Sequence, residues 1–111
     1  MKKTMLAALA ATLALDAGAA TFQAAEAKYR EADMVFVIVG NEFFSQPAEQ
    51  RGRQFATLKS CAKAAKLTGD LVVVTNMRGK VQYHADSKYT RFLQPLEWRW
   101  VKERANQKLN C

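Results

Sequence analysis

Histidine and cysteine are scarce in this chain of 111 residues, and their scarcity excludes several kinds of site. One histidine cannot build a multi-histidine metal centre, and two cysteines are too few for a four-cysteine zinc site or a disulfide-dense scaffold. Acidic residues are also few: 10 Asp and Glu stand against 17 Lys and Arg, so the net charge is +7. The length excludes folds such as the (β/α)₈ barrel, which needs about 250 residues. We therefore expect one small domain with no metal and no cofactor.

The long apolar run that a membrane-spanning helix needs, about 20 residues, is missing. The N-terminus instead has a shorter one: Lys2 and Lys3 precede an apolar stretch over 4–15, and small residues follow at 17–20. A basic start, a short apolar run and small residues are the three parts of a bacterial Sec-type secretory signal. We predict a signal peptide over 1–20.

The predicted cleavage site has three candidate positions: after Ala19, after Ala20 or near Ala25. The alternative is that the segment forms an amphipathic helix of the mature fold, which its lack of a polar face disfavours. Cleavage after Ala20 leaves a single mature α+β domain over 21–111. The signal predicts that this domain is periplasmic or secreted.

Cys61 and Cys111 are the only two cysteines, and both lie in the predicted mature domain. In an oxidising compartment, two lone cysteines most often join each other. A bond between them would close a loop of about 50 residues and stabilise the fold by about 4 kcal/mol. We predict this disulfide; the alternatives are two buried thiols, or a bond from Cys111 to another molecule.

Hydrophobic spacing predicts an α+β fold, close to α/β, with the element order α-β-α-β-β-α. The first strand is a run of six apolar, mostly β-branched or aromatic residues, which is typical of a strand buried on both faces. It is expected to cross over through the long helix to a parallel second strand, giving a three-stranded sheet packed by helices. The helices are predicted over 21–32, 47–68 and 95–109, and the strands over 34–39, 71–74 and 80–85.

His84 is the one candidate for acid–base chemistry. Alternation places it on the polar side of a half-exposed strand, which predicts a solvated side chain. With Asp86 it could form a base and its orienting acid, and it could also make a pH-sensitive contact. A nucleophilic Cys61 would need a free thiol, which export disfavours. The sequence thus supports no catalytic residue.

The long helix has the clearest charge pattern. Residues 51–69 contain five basic and no acidic residues, and Lys59, Lys63 and Lys66 fall in a narrow arc beside the apolar face. Such an arc suits phospholipid, lipopolysaccharide, an acidic protein or nucleic acid. The alternative is a basic face that only aids solubility.

The last predicted helix contains two tryptophans that face different ways. Trp98 belongs to the longer apolar stripe and is assigned to the core. Trp100, flanked by Arg99 and Arg104, becomes the candidate contact residue. The alternative is that both rings are buried.

These features together favour a small exported envelope protein that acts as a non-catalytic binding or accessory module. An adaptor, a complex subunit or an inhibitor would each bind an envelope protein or an anionic surface through the basic residues. The first alternative is a periplasmic nucleic-acid or polyanion binder, in which basic residues could contact phosphates and aromatic side chains could stack on bases, namely Tyr83, Tyr89, Phe92 and Trp100. The second is a small hydrolase that uses His84.

Overall fold

The computed structural model describes residues 20–111, which form a five-stranded mixed sheet with one helix on each face. The elements are β1 (Thr21–Tyr29), β2 (Ala32–Ile38), α1 (Ala48–Ala64), β3 (Asp70–Met77), β4 (Lys80–His84), α2 (Trp98–Arg104) and β5 (Gln107–Asn110). The strand order in the sheet is β4-β3-β2-β1-β5, and β2–β3 is the parallel pair. In this part of the chain, neither helix has the length and apolar character needed to cross a membrane. The predicted signal peptide, apart from Ala20, lies outside the described residues.

The predicted three-stranded sheet and element order are wrong, first because the segment expected as a helix over 21–32 is strand β1. It pairs with β2 on one side and with β5 on the other. Tyr29 faces Ala32 across a two-residue turn, in which Arg30 and Glu31 have φ angles of 48° and 79°. Positive φ at both positions is the geometry of a type I′ hairpin turn, which usually contains Asn or Gly. Without those residues, the sequence gives no hairpin signal.

The final predicted helix over 95–109 is also wrong, because α2 ends at Arg104 and a fifth strand follows. Leu109 pairs with Phe22, and the backbone groups of Cys111 and Ala20 bond to each other in both directions. This strand carries the chain from the face of the sheet that α2 covers to the side on which Cys61 lies. A continued helix would have left the C-terminus on the wrong face for the disulfide.

The predicted crossover is confirmed: β2, α1 and β3 form a parallel β-α-β unit. Pro47 is the residue before α1, where its missing N–H costs nothing. A Cβ added to Gly69, which has a φ of 124°, would lie 2.7 Å from the backbone of Asp33 and Met34. Glycine therefore lets the chain turn tightly from α1 into β3.

Alternate side chains of the central strands enter two separate cores. Val35, Val37 and Val73 pack on the face covered by α1, which we call the α1 face. Phe36 and Val72 pack on the opposite side, the α2 face. Both faces are covered, which explains why β2 and β3 are continuously apolar.

The predicted disulfide is confirmed between Cys61 and Cys111, whose Cα atoms are 5.8 Å apart. It joins α1 to the residue that follows β5. The sheet edge formed by the short β5 is therefore attached covalently to the helix above it.

Candidate anion-binding site

The lysine arc predicted from the sequence is present along one flank of α1. Lys59 and Lys63 are exposed and lie one helical turn apart. Lys66 lies just beyond the helix, has a φ of 64° and donates its N–H to the carbonyl oxygen of Lys63 at 2.9 Å. This left-handed residue ends the helix, so Lys66 belongs to its closing turn.

A small cavity lies between this flank and the sheet. It has a volume of about 240 Å³. Apart from the two lysines, its walls are aliphatic side chains and a glycine, and Val35 and Leu71 are paired neighbours on β2 and β3. The lining residues are Val35, Lys59, Ala62, Lys63, Leu67, Gly69 and Leu71.

The lysines of this flank have no acidic partner within 4 Å in the part of the chain that the structure describes. Over residues 20–111, the ion pairs within this distance involve other basic residues: Lys28–Asp33 at 3.2 Å, Arg53–Glu49 at 3.5 Å and Arg104–Glu103 at 3.7 Å. The charges of Lys59, Lys63 and Lys66 are therefore open to an external anion.

Glu26 is the acidic residue that β1 contributes near the end of α1. Its carboxylate accepts hydrogen bonds from the backbone N–H of Thr68 at 2.6 Å and from the Thr68 hydroxyl at 2.8 Å. These hydrogen bonds lower the pKa of Glu26, so the group stays ionised. The Glu26 carboxylate is thus already hydrogen-bonded to the segment that follows α1.

The sequence indicated the lysines of this site but not its apolar walls. Lysines at helical spacing stand out because charge is visible in the pattern. The apolar runs predict Val35 and Leu71 only as core residues of buried strands. No local signal in the sequence marks which core residues border a cavity. Only the packing of α1 against the sheet reveals them.

The second predicted basic cluster lies on the α2 face, so the sheet separates it from the α1 lysines. The guanidinium of Arg104 lies over the Trp100 ring at 4.2 Å from its centroid. The Trp100 ring in turn meets Tyr29 and Phe36 edge-on, at centroid distances of 5.0 and 5.4 Å. Trp100 thus packs against core side chains, whereas Arg104 is exposed and covers its ring; both tryptophans are partly buried.

Arg99 and Trp98 border an open groove of about 750 Å³ beside the start of β4. Lys80 also borders it and forms an isolated antiparallel bridge with Glu97. The groove thus has an aromatic ring and charges of both signs, and no single ligand chemistry stands out. The remaining lining residues are Gly79, Val81, Gln94 and Leu96.

His84 is half-buried on the α1 face, where the sequence predicted a solvated side chain. Its ring lies 4.9 Å from the Phe55 ring and 5.8 Å from the Phe43 ring, measured between centroids. Burial, and then the positive charge of Arg51, lower the pKa of His84, while Asp86 acts in the opposite direction. The prediction is wrong because α1 and the 3₁₀-helix Asn41–Phe43 cover the end of β4 and half-bury His84.

Neither a cysteine nucleophile nor a metal cluster is formed by the residues that the structure describes. Cys61 is held in the disulfide, so it supplies no thiolate to His84. Over residues 20–111, no three His, Cys, Asp or Glu side chains are grouped closely enough to hold a metal ion.

Comparisons with known proteins give no match to a protein family, to a curated protein sequence or to a solved structure.

Proposed function

We propose that this chain is a non-catalytic binding module of the cell envelope that holds an anionic partner on the lysine flank of α1. One observation carries the proposal: Lys59 and Lys63 border an apolar cavity and have no acidic partner in the described part of the chain. Both lysines remain available at the surface.

The cavity strengthens this argument over a basic face that only aids solubility. A basic face that only aids solubility requires exposed charge, but it does not require a cavity between a helix and the sheet. Here two exposed lysines border aliphatic walls, so one ligand can pair an anionic group with the lysines and an apolar group with the walls. Basic charge without nearby acid also raises the local concentration of anions.

The disulfide supports a place in the periplasm or outside the cell. Bonds of this kind form and persist in oxidising compartments. The predicted signal peptide points to the same destination. A periplasmic or secreted location is therefore part of the proposal.

The aromatic residues considered for nucleic-acid stacking are partly buried on the α2 face, and two of them make internal hydrogen bonds. The Tyr83 hydroxyl donates to the carbonyl oxygen of Thr90 at 2.6 Å, and the Tyr89 hydroxyl donates to the Asp70 carboxylate. These tyrosines pack on the α2 face, across the sheet from the lysine flank. The polyanion alternative therefore has no aromatic residue of this group beside the α1 lysines.

Binding to generic polyanions tests the proposal. Lys59→Gln/Lys63→Gln removes two charges at the site, and Lys102→Gln/Lys108→Gln removes two exposed charges elsewhere. We expect affinity for phosphatidylglycerol vesicles and for heparin to fall about tenfold in the first variant, equivalent to about 1.4 kcal/mol. The second variant should lose about twofold at most, as expected for exposed charges screened by salt.

Two results would contradict the proposal: no measurable binding of either probe, or equal losses in the two variants. Equal losses would assign binding to overall charge, as the polyanion alternative expects.

A further inference from the structure

We propose that the ligand of this site is a single-chain anionic amphiphile, a carboxylate with about eight carbons in all. Its chain would enter the cavity beneath α1, and its carboxylate would lie between Lys59 and Lys63. This inference rests on the proposed function, and it names the chemical class of the anion.

The size of the cavity limits the ligand. Its volume of about 240 Å³ equals that of about eight water-sized groups, since a water molecule takes about 30 Å³ of liquid. Pockets for drug-sized ligands start at about 300 Å³. The cavity therefore has room for one short chain but not for a second.

The chemistry of the walls selects a hydrocarbon. Val35, Ala62, Leu67 and Leu71 have aliphatic side chains, and Gly69 has no side chain. A sugar or nucleotide would leave its hydroxyl groups without partners there, which is unfavourable. A methylene chain needs no partners and gains from leaving water.

The two lysines select an anionic head group. Side chains four residues apart on a helix are neighbours, so the ammonium groups of Lys59 and Lys63 can reach the same carboxylate. Their methylene stems can lie along the apolar rim while their charges stay in water. Glu26 is hydrogen-bonded to Thr68, the residue after Leu67. Its negative charge disfavours a second anion at the Leu67 end of the cavity.

Sodium octanoate is the probe, with acetate and octanol as controls that have only the head group or only the chain. Titration of the full chain by calorimetry should show that octanoate binds at least about tenfold more tightly than either control. Ala62→Leu places extra methyl groups in the cavity on a helix that tolerates leucine. It should weaken octanoate binding at least about tenfold and change heparin binding by about twofold at most.

The wild-type protein provides a second measurement that does not depend on a variant. In methyl NMR spectra, octanoate should shift the signals of Val35, Leu67 and Leu71 more than those of Val72 and Val101, which lie on the α2 face. This result would stand even if Ala62→Leu failed to fold.

Failure of this inference and failure of the proposed function give different results. If octanoate does not bind, or shifts only methyl groups outside the cavity, while heparin binding still needs Lys59 and Lys63, the inference is overturned and the proposed function stands. If octanoate does not bind and heparin binding does not depend on these lysines, both are overturned.

Discussion

Trp98 and Trp100 are separated by one residue in α2, yet their rings meet different surroundings. Trp100 contacts Tyr29 and Phe36 edge-on, and the guanidinium of Arg104 lies over its ring. Trp98 borders the open groove beside β4. Spacing on a helix of seven residues cannot rank two partly buried rings. The contacts made by β1 and β2 determine which ring matters more for stability.

We expect Trp100→Ala to lower the free energy of unfolding by about 3 kcal/mol, because it removes a large ring from an aromatic cluster. Trp98→Ala should cost less than half as much, since its ring borders an open groove. Urea denaturation of both variants measures the difference. Equal losses would contradict the packing role of Trp100.

His84 should make stability depend on pH. Burial against Phe43 and Phe55, together with Arg51, lowers its pKa in the folded state. The folded protein therefore binds this proton less tightly than the unfolded chain, so the contribution to stability is full above about pH 6.5 and is lost as the pH falls below it.

The wild-type protein should unfold at a lower urea concentration at about pH 5 than at about pH 7.5. For His84→Gln, the decrease in the urea midpoint between these two pH values should be smaller. His84 is the only histidine, so NMR can also follow its titration without ambiguity. If both proteins lose the same stability, His84 does not contribute to the pH dependence.

At the scale of elements, the two ends of the described chain depend on each other. β1 lies between β2 and β5, and β5 has only four residues, paired over Thr21–Ala24. A strand this short at the edge of a sheet has little stability of its own. The disulfide from Cys111 to Cys61 holds it beneath α1.

Replacing both cysteines, Cys61→Ala/Cys111→Ala, should lower the free energy of unfolding by about 4 kcal/mol, because the unfolded chain regains the freedom of a loop of about 50 residues. Hydrogen exchange should accelerate most at Leu109 in β5 and least at Val73 in β3. Reduction of the wild-type protein serves as the matched control. A loss below about 1 kcal/mol, or equal acceleration in both strands, would contradict this role.

At the scale of the whole molecule, the sheet separates the basic residues into two groups. The α1 lysines and the cavity lie on one face, whereas Arg99, Trp100 and Arg104 belong to the other. A single partner of small size cannot contact both groups. This separation is why the proposed site uses the α1 flank alone.

The proposed export also makes a prediction about the whole chain. Cleavage after Ala19 or Ala20 would leave β1 complete, whereas cleavage near Ala25 would remove the residues that pair with β5. We therefore expect protein from the envelope fraction to begin at Ala20 or Thr21, with both cysteines protected from alkylation until reduction. Intact-mass measurement tests both points, and a retained Met1 with two free thiols would contradict export.

Local patterns in the sequence were enough to predict much of the centre of the fold. Continuous apolar runs predicted β2 and β3, helical spacing predicted α1, and the presence of only Cys61 and Cys111 predicted the disulfide. The lysines of the site were visible for the same reason, since charge at helical spacing is a local signal. The strands, the helix and the lysines depend on residues that are close together in the chain. The disulfide was predictable because two cysteines allow only one pairing within the chain.

The tertiary structure decided what depends on distant residues. Alanine-rich β1 could have formed a helix, and it is a strand because β2 and β5 pair with its two edges. The end of the chain became β5 for the same reason. The burial of His84, the packing of Trp100 and the cavity walls all arise where separate elements meet, and no short stretch of sequence contains that information.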